Sequence, residues 1–263
     1  MKRVGTYFAA AAILGFCLAP LAWIFFHSLR SADGSISVVN YASVFEESIF
    51  ARAILNSLLV ASGTTLCCIA LGASAAFAVA KLEFVGRRAV LAVALVVSMF
   101  PPIATVSPLF LIIRGLGLRD TLAGLVFPYT VFALPLTLWV LSSFFREIPD
   151  ELYSAARLDG CSPFQAFWKI FLPLAAPGLA TTAILVFVFS WNEFLFALTF
   201  VSSPEKRTIP VAIALFATGQ TEPWPEIFAA SVVVTVPLVL LTLALQRKIQ
   251  REKQLGTVPE PRP

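Results

Sequence analysis

The chain has 263 residues, of which 59% are hydrophobic and only 13% are charged, and its formal net charge is +4. Soluble domains carry about 25% charged residues, so this composition excludes an ordinary water-soluble domain and predicts a protein of the lipid bilayer. The sequence contains no Gly-rich phosphate loop, no Ser/His/Asp set and no HExxH motif. It therefore predicts no catalytic residue, no metal site and no cofactor-binding site in this chain.

Six stretches are long enough to cross a hydrocarbon core, which needs about 20 mostly apolar residues. These predicted spans cover residues 7–26, 53–80, 89–113, 121–145, 178–200 and 227–246. Only the fifth contains a charged residue, Glu193. No linker and no internal repeat is evident. The sequence therefore predicts an all-α, polytopic membrane protein with six transmembrane helices, folded as a single domain over residues 1–263.

Lysine and arginine are distributed unevenly between the two sides of this arrangement. If the N-terminus is cytosolic, thirteen of the nineteen lie in cytosolic segments and the other six lie outside. Cytosolic loops of membrane proteins carry such an excess, so both termini are predicted to be cytosolic. The net charge then needs no nucleic-acid partner. The apolar run that follows Met1-Lys2-Arg3 is predicted to be an uncleaved first span, because no small-residue cleavage pattern follows it.

A polar segment, residues 146–177, separates the fourth and fifth predicted spans, and we call it the elbow. Asp150 follows Pro149 and is predicted to cap a first helix, which Asp159-Gly160 ends because glycine readily adopts the left-handed conformation. Ser162-Pro163, with Gln165 three residues after the serine, is a capping-box start for a second helix. The second helix is predicted to end before Pro173.

The second helix of the elbow carries a run of aromatic residues. Phe164, Phe167 and Phe171 recur at helical spacing and are predicted to share one face. This face is expected to insert into a groove of another protein. The alternative is a surface loop that folds back on its own membrane domain. The density of start and stop signals favours the first interpretation, because a tether would not need so strictly defined a shape.

Two further features allow two interpretations each. Pro101-Pro102 in the third span predicts a kink that either splays helices around a path or is an ordinary membrane-helix proline. An outer segment, residues 202–226, has an apolar core too short to cross the bilayer and a polar tip at Thr218, Gly219 and Gln220. That tip either probes a ligand or a docked partner, or belongs to simple loop packing.

The elbow resembles the EAA loop of the inner-membrane permeases of binding-protein-dependent ABC importers. That motif reads Glu-Ala-Ala, three positions, then Gly, and later Leu-Pro. The matching residues are Ala155-Ala156, Asp159-Gly160, Phe171-Leu172-Pro173 and Pro177, whereas Ser154 stands at the acidic position. The departure at Ser154 leaves the helical elbow intact but removes a carboxylate contact.

The resemblance extends over nearly the whole chain and is to the carbohydrate branch, in particular to the second permease of maltose- and trehalose-type systems. The matching segments are Asn56-Ser57-Leu58, Phe100-Pro101, Trp191-Asn192-Glu193-Phe194, Val236-Pro237 and Gln246-Arg247. The tail Leu255-Gly256-Thr257-Val258-Pro259 departs from the branch. Contacts made by that tail in the family are therefore not expected here.

The resemblance implies a type I ABC importer in a prokaryotic inner membrane. Its expected partners are a second, longer permease, two copies of an ATPase that binds ATP and magnesium, and an extracytoplasmic sugar-binding protein. The elbow is expected to lie in a cleft of the ATPase. The residues expected to couple the two proteins are Ser154, Ala155, Ala156, Asp159, Gly160 and Phe164. Thr218, Gly219 and Gln220 are expected to enter the cleft of the binding protein.

The predicted solute path centres on Trp191, Asn192 and Glu193. An acid inside an apolar span is a functional candidate, and an aromatic ring beside amide and carboxylate groups suits a sugar. The alternative is a polar clamp to the second permease. Two other functions stay open: an ABC permease for another polar solute such as glycerol phosphate, and an ion-coupled secondary transporter.

Overall fold

The computed structural model describes residues 2–30, 35–46, 48–216 and 224–255. Within these ranges the chain is helical throughout, apart from short turns and one isolated bridge between Arg30 and Ile36. The helices are α1 (Lys2–Ser28), α2 (Val39–Glu46), α3 (Ser48–Lys81), α4 (Arg87–Met99), α5 (Pro102–Gly115), α6 (Leu122–Glu147), α7 (Asp150–Leu158), α8 (Pro163–Ala166), a π-helix (Phe167–Phe171), α9 (Leu172–Leu174), α10 (Ala176–Trp191), α11 (Leu195–Phe200), a 3-10 turn (Pro204–Lys206), α12 (Ile209–Phe216) and α13 (Trp224–Leu255). The predicted all-α class is confirmed.

Three of the described helices, α1, α3 and α6, are long and apolar enough to cross a membrane. They coincide with the first, second and fourth predicted spans. Two bent pairs of helices, α4 with α5 and Pro163–Leu174 with α10, raise the number of crossings to as many as five. The sixth predicted span lies in α13 (Trp224–Leu255), and the described apolar part that was compared with a crossing, Trp224–Leu240, is shorter than a full crossing. The described residues therefore leave the count of six unconfirmed.

The third and fifth predicted spans are both broken. The axes of α4 and α5 differ by 100°, and the bend falls at Phe100 and Pro101, whose backbones are extended. Proline lacks the N–H that would continue the helical ladder, so Pro101-Pro102 interrupts the helix. In the fifth span, α10 stops at Trp191 and α11 resumes at Leu195.

The centre of the fold is the packing of α3 along α6 and α10. Small residues allow α3 and α6 to approach closely, because a Cβ atom added at Gly72 would collide with the Thr137 side chain. The Thr130 and Thr137 hydroxyls donate to the carbonyls of Val126 and Ala133 in their own helix. These two threonine hydroxyls are thus satisfied within their own helix, as an environment without water requires.

Two apolar clusters stabilise the opposite ends of this packing. The cytosolic cluster joins Phe77 of α3 and Phe145 of α6 to Phe167 and Phe171 of the elbow. The outer cluster contains Val60, Ile113, Leu125, Tyr129 and Phe200. By contrast, α1 packs along α13 and leaves most of its described side chains exposed, which suits a helix that faces lipid.

Candidate functional site: the elbow and the helix-lined groove

The first elbow helix, α7, begins and ends by local chemistry. The prediction that Asp150 caps it is wrong: Pro149 holds the cap position without a side-chain bond, and Asp150 is the first helical residue. There its negative charge favours the positive end of the helix dipole. The predicted end is confirmed, since Gly160 has φ +81° and the Cys161 N–H donates to the Ala156 carbonyl at 2.9 Å. This is the Schellman pattern of helix termination.

The second elbow helix begins with the predicted capping box. The Ser162 hydroxyl accepts from the Gln165 N–H, and the Gln165 side chain accepts from the Ser162 N–H. The helix does not end before Pro173, contrary to the prediction, but continues to Leu174 and bends by 78° into α10. A π-helical stretch, in which the Leu172 N–H bonds to the Phe167 carbonyl, directly precedes Pro173 and accommodates a residue that has no N–H.

The aromatic stripe of the second helix divides into a buried and an exposed half. Phe167 and Phe171 are 6% and 0% exposed and contact Phe77 of α3, with ring centroids 5.3 and 5.1 Å away. Phe164 is 70% exposed and Trp168 is 53% exposed. The prediction that Phe167 and Phe171 insert into another protein is therefore wrong, because they anchor the elbow to its own membrane helices.

Most of the predicted coupling residues lie on the outside of the elbow. Ala156 is buried, whereas the other five are exposed: Ser154, Ala155, Asp159, Gly160 and Phe164. The prediction missed two exposed apolar neighbours, Leu158 and Trp168. Trp168 follows Phe164 by four residues, a spacing that brings side chains onto the same side of a helix. We call the exposed set Leu158, Phe164 and Trp168 the elbow surface.

One buried charge under the elbow was also missed. Lys81 ends α3, and its side chain is 2% exposed. Its Nζ donates to the Ile148 carbonyl and to Asp150 Oδ1, both at 2.5 Å, and lies 5.7 Å from the centre of the Phe171 ring. In the sequence Lys81 counts only as one of the cytosolic cations, because its partners are 67 and 69 residues away.

Trp191 lies at a groove between three helices. The indole stacks on Phe187 at 5.5 Å, and both side chains line a cavity of 430 Å³. The remaining lining residues come from α3, α10 and α13: Leu58, Ser62, Thr65, Leu66, Ala183 and Pro237. The groove is therefore uncharged, with apolar and aromatic walls and two hydroxyl groups.

Asn192 and Glu193 occupy the break in the fifth span. Both carboxylate oxygens of Glu193 accept backbone N–H groups at the start of α11, from Phe196 at 2.9 Å and from Ala197 at 3.2 Å. The Asn192 side chain donates to the Val188 carbonyl. The buried hydroxyl of Tyr129, which makes no hydrogen bond of ordinary geometry, interacts electrostatically with Glu193. Glu193 thus satisfies a helix start that the break would leave unpaired.

At the outer end, polar contacts join distant loops. Asp120 accepts from the N–H groups of Ser202 and Ser203 and from the Ser203 hydroxyl, and Lys206 donates to it. Nearby, Asn56 of α3 donates to the carbonyls of Glu205 and Arg207. We call these contacts the outer junction.

The outer junction changes the acidity of one of its members. The Ser203 hydroxyl and the backbone N–H groups of Ser203 and Ser202 stabilise the carboxylate, which holds the pKa of Asp120 well below its usual range.

The predicted probing residues of the outer segment, Thr218, Gly219 and Gln220, lie outside the described residues. Within the described ranges, no group of acidic, histidine or cysteine side chains could hold a metal ion.

The helical fold, its bent spans and the exposed elbow surface define the membrane component of a larger transport assembly. Residues 68–254 match the protein family described as "Binding-protein-dependent transport system inner membrane component". The chain belongs to this family. It is a permease subunit of an ABC importer in the cell membrane rather than an enzyme, and it works with a binding protein and an ATPase.

Named relatives match this chain over nearly its full length. The chain is 45% identical to the trehalose transport system permease protein SugB of Mycobacterium tuberculosis, over 97% of this chain and 98% of that protein. It is 38% identical to the trehalose/maltose transport system permease protein MalG of Thermococcus litoralis, over 95% and 94%. A solved chain of a bacterial ABC transporter for the acidic polysaccharide alginate has the same fold, with a TM-score of 0.77 at 23% identity over 94% and 96% of the two chains.

Proposed function

We propose that this chain imports a sugar, with trehalose and maltose as the first candidates, as one half of a permease heterodimer above two copies of an ATPase. The names of the two permeases at 45% and 38% identity support the sugar class. The observation that carries the assembly is the elbow surface, since Leu158, Phe164 and Trp168 are large apolar side chains exposed in a segment predicted to face the cytosol. Exposed apolar patches of this kind mark protein-binding sites.

In this proposal the whole chain, residues 1–263, acts as one membrane domain, and the elbow is its contact with the ATPase. Ser154, Ala155, Asp159, Gly160 and Phe164 contact the partner, and Ala156 supports them from below. ATP and magnesium bind to the ATPase. Closure of the two ATPase copies displaces the elbows, and the membrane helices change their packing between two arrangements. The tip at Thr218, Gly219 and Gln220 belongs to the contact with the binding protein.

We further propose that the groove at Trp191 is one wall of the solute path and that the second permease provides the facing wall. Its volume, 430 Å³, lies in the range of small-molecule sites, about 300–1,000 Å³. An indole ring and the hydroxyls of Ser62 and Thr65 suit a neutral polyol. A phosphorylated cargo such as glycerol phosphate would favour an arginine or lysine in the lining, and the groove contains neither.

Neither Asn192 nor Glu193 lines the groove, so in this proposal they act on its shape rather than on the solute. Glu193 holds the break between α10 and α11, and this break sets the position of Trp191. The same contacts argue against an ion-coupled transporter. Glu193 is the only charged residue within the predicted spans, and both of its oxygens are engaged by backbone N–H groups.

The assembly is tested by crosslinking. A photo-reactive residue at Leu158, which is 89% exposed, is expected to form an adduct with the ATPase when the chain is expressed with its transport system. The same residue at Phe16 of α1, which is 83% exposed, is the control and is expected to label lipid or permease only. Adducts from Leu158 that contain only lipid or this same chain would overturn the proposed ATPase contact.

The cargo is tested separately with the purified importer and its binding protein. Trehalose and maltose are expected to raise the melting temperature of the binding protein and to enter proteoliposomes when ATP is present. Trp191→Ala is expected to lower uptake about tenfold, because the loss of one aromatic platform costs on the order of 1–2 kcal/mol; since Trp191 is only 4% exposed and also packs in the interior, uptake is compared at equal amounts of folded importer. If Trp191→Ala transports like the unchanged protein, the groove is not the path.

A further inference from the structure

The cytosolic end of α3 and the start of the elbow meet at a single buried ammonium group. Lysine is almost never fully buried unless it is paired, so the 2% exposure of the Lys81 side chain needs compensation. The compensation consists of two hydrogen bonds and the face of the Phe171 ring. Both hydrogen-bond acceptors flank Pro149, the N-cap residue of α7.

These contacts define how a movement of the elbow reaches the membrane helices. The backbone connects α7 to α6 through Ile148 and Pro149. No backbone connection of comparable length joins α7 to α3. Their contact includes aromatic packing, in which Tyr153 lies against Phe77, and the bond from Lys81 to Asp150, while a second Lys81 bond reaches Ile148 just before α7. Aromatic packing is tolerant of sliding, whereas hydrogen bonds fix direction and distance.

We propose that Lys81 is a positioning residue for coupling. Its ammonium fixes the start of the elbow to the end of α3, so that a displacement of the elbow by the ATPase moves α3 and α6 together. Because α3 packs against α10 as well as α6, this bond also passes the movement to α10, and α3 and α10 are two of the helices that line the groove. The inference rests on the proposed function, since it assumes that an ATPase displaces the elbow.

The two acceptors contribute differently. The Asp150 side chain is 84% exposed, so water screens its attraction to the ammonium. The contacts of the ammonium with the Ile148 carbonyl and with the Phe171 ring do not depend on the charge of Asp150, and the ring is fully buried. Removing the ammonium should therefore have a larger effect than neutralising Asp150. The expected order of coupling is the unchanged protein first, then Asp150→Asn, then Lys81→Met.

The test uses the complete importer in proteoliposomes and measures the number of ATP molecules hydrolysed per solute imported. Lys81→Met keeps the apolar stem and removes the ammonium. It is expected to raise this ratio roughly fivefold, a change within the range seen for residues that transmit coupling, while the ATPase still co-purifies. Lys81→Arg restores a cation with hydrogen-bond donors and is expected to recover part of the coupling, which a purely space-filling role for this side chain would not predict.

Arg88→Met is the matched control. Arg88 is an exposed cation on the same predicted cytosolic side, and among the described residues it forms no ion pair, so its removal is expected to leave the ratio unchanged. A Lys81→Met importer with an unchanged ratio overturns the inference. If Lys81→Met fails to assemble, an unchanged ratio in Asp150→Asn overturns it instead. Absence of ATP-driven uptake by the unmodified importer overturns the proposed function itself.

Discussion

At its outer end the chain joins separate segments with a network of hydrogen bonds, whereas at its cytosolic end the elbow rests on aromatic packing and one ammonium group. The outer junction engages Asp120 with three residues of the 201–207 segment, and Asn56 adds two more bonds. The elbow has fewer directional contacts with its own chain and presents its apolar surface outward. A region that responds to a partner needs side chains that its own fold leaves exposed, whereas a region that stays in place can use its side chains for contacts within the chain.

This contrast predicts that changes on the exposed side of the elbow affect transport more than folding, and that changes at the outer junction affect folding more than coupling. The largest effect is expected at Gly160. A valine at position 160 would have to adopt φ +81°. This conformation costs an L-residue about 1–2 kcal/mol, and more when the side chain is β-branched. Gly160→Val is expected to abolish uptake, measured in proteoliposomes, while the chain still reaches the membrane.

Gly160→Asn is the control for this substitution, because asparagine tolerates the left-handed conformation. Among the described residues, and apart from Gly160 and its chain neighbours, no heavy atom lies within 4 Å of a Cβ built at Gly160, so both variants have room for their first side-chain atom. Asparagine is expected to keep most of the uptake. Normal uptake by a well-expressed valine variant would show that the shape of the elbow is not needed for coupling.

The second prediction separates the two halves of the aromatic stripe. Phe171→Ala empties a fully buried site and is expected to destabilise the protein by about 3–5 kcal/mol, seen as a lower melting temperature of the purified chain. Phe164→Ala removes an exposed ring and is expected to leave the melting temperature unchanged while weakening capture of the ATPase several-fold. Phe84→Ala, an exposed aromatic on the α3–α4 turn, is the control for capture. Equal losses of stability in the Phe164 and Phe171 variants would contradict the division of the stripe.

The sequence could predict those features that are decided by residues close to each other in the chain. Gly160 as a helix stop and Ser162 with Gln165 as a capping box are decided by neighbouring residues, and both are confirmed. The interruption at Pro101-Pro102 is also local, since proline removes a donor wherever it stands. The size of the resulting 100° bend is not local, because it depends on what α4 and α5 pack against.

The features that could not be predicted depend on distant partners. Helical spacing groups Phe164, Phe167 and Phe171 together, but distant partners such as Phe77 and Phe145 decide which of them are buried. The sequence shows Glu193 as a charge inside a span, yet its role at the start of α11 depends on a break that the sequence does not reveal. Lys81 and Asp120 bond to residues 67 or more positions away, which neither spacing nor composition reveals.

A smaller effect is expected when the outer junction is opened. Asp120→Ala leaves the N–H groups of Ser202 and Ser203 without their acceptor; because water can reach these groups, the loss is on the order of 1 kcal/mol of stability. The melting temperature of the purified chain is expected to fall, with ATPase capture unchanged. Glu205→Ala removes another exposed carboxylate of the same segment and is expected to change neither. Loss of ATPase capture in the Asp120 variant would contradict the separation of the two ends.

The smallest effect is the pH dependence of the same junction. Because the folded protein lowers the pKa of Asp120, the stabilisation is fully present above the ordinary carboxyl pKa of about 4 and is lost as the pH falls through the folded-state pKa. The difference in melting temperature between the unchanged protein and Asp120→Ala should therefore stay constant from about pH 7 to about pH 5 and narrow below about pH 4. The comparison removes the contributions of other carboxylates, which titrate in both proteins. A difference that persists undiminished at about pH 2 would mean that the junction does not depend on the charge of Asp120, and that the neutral acid forms the same contacts.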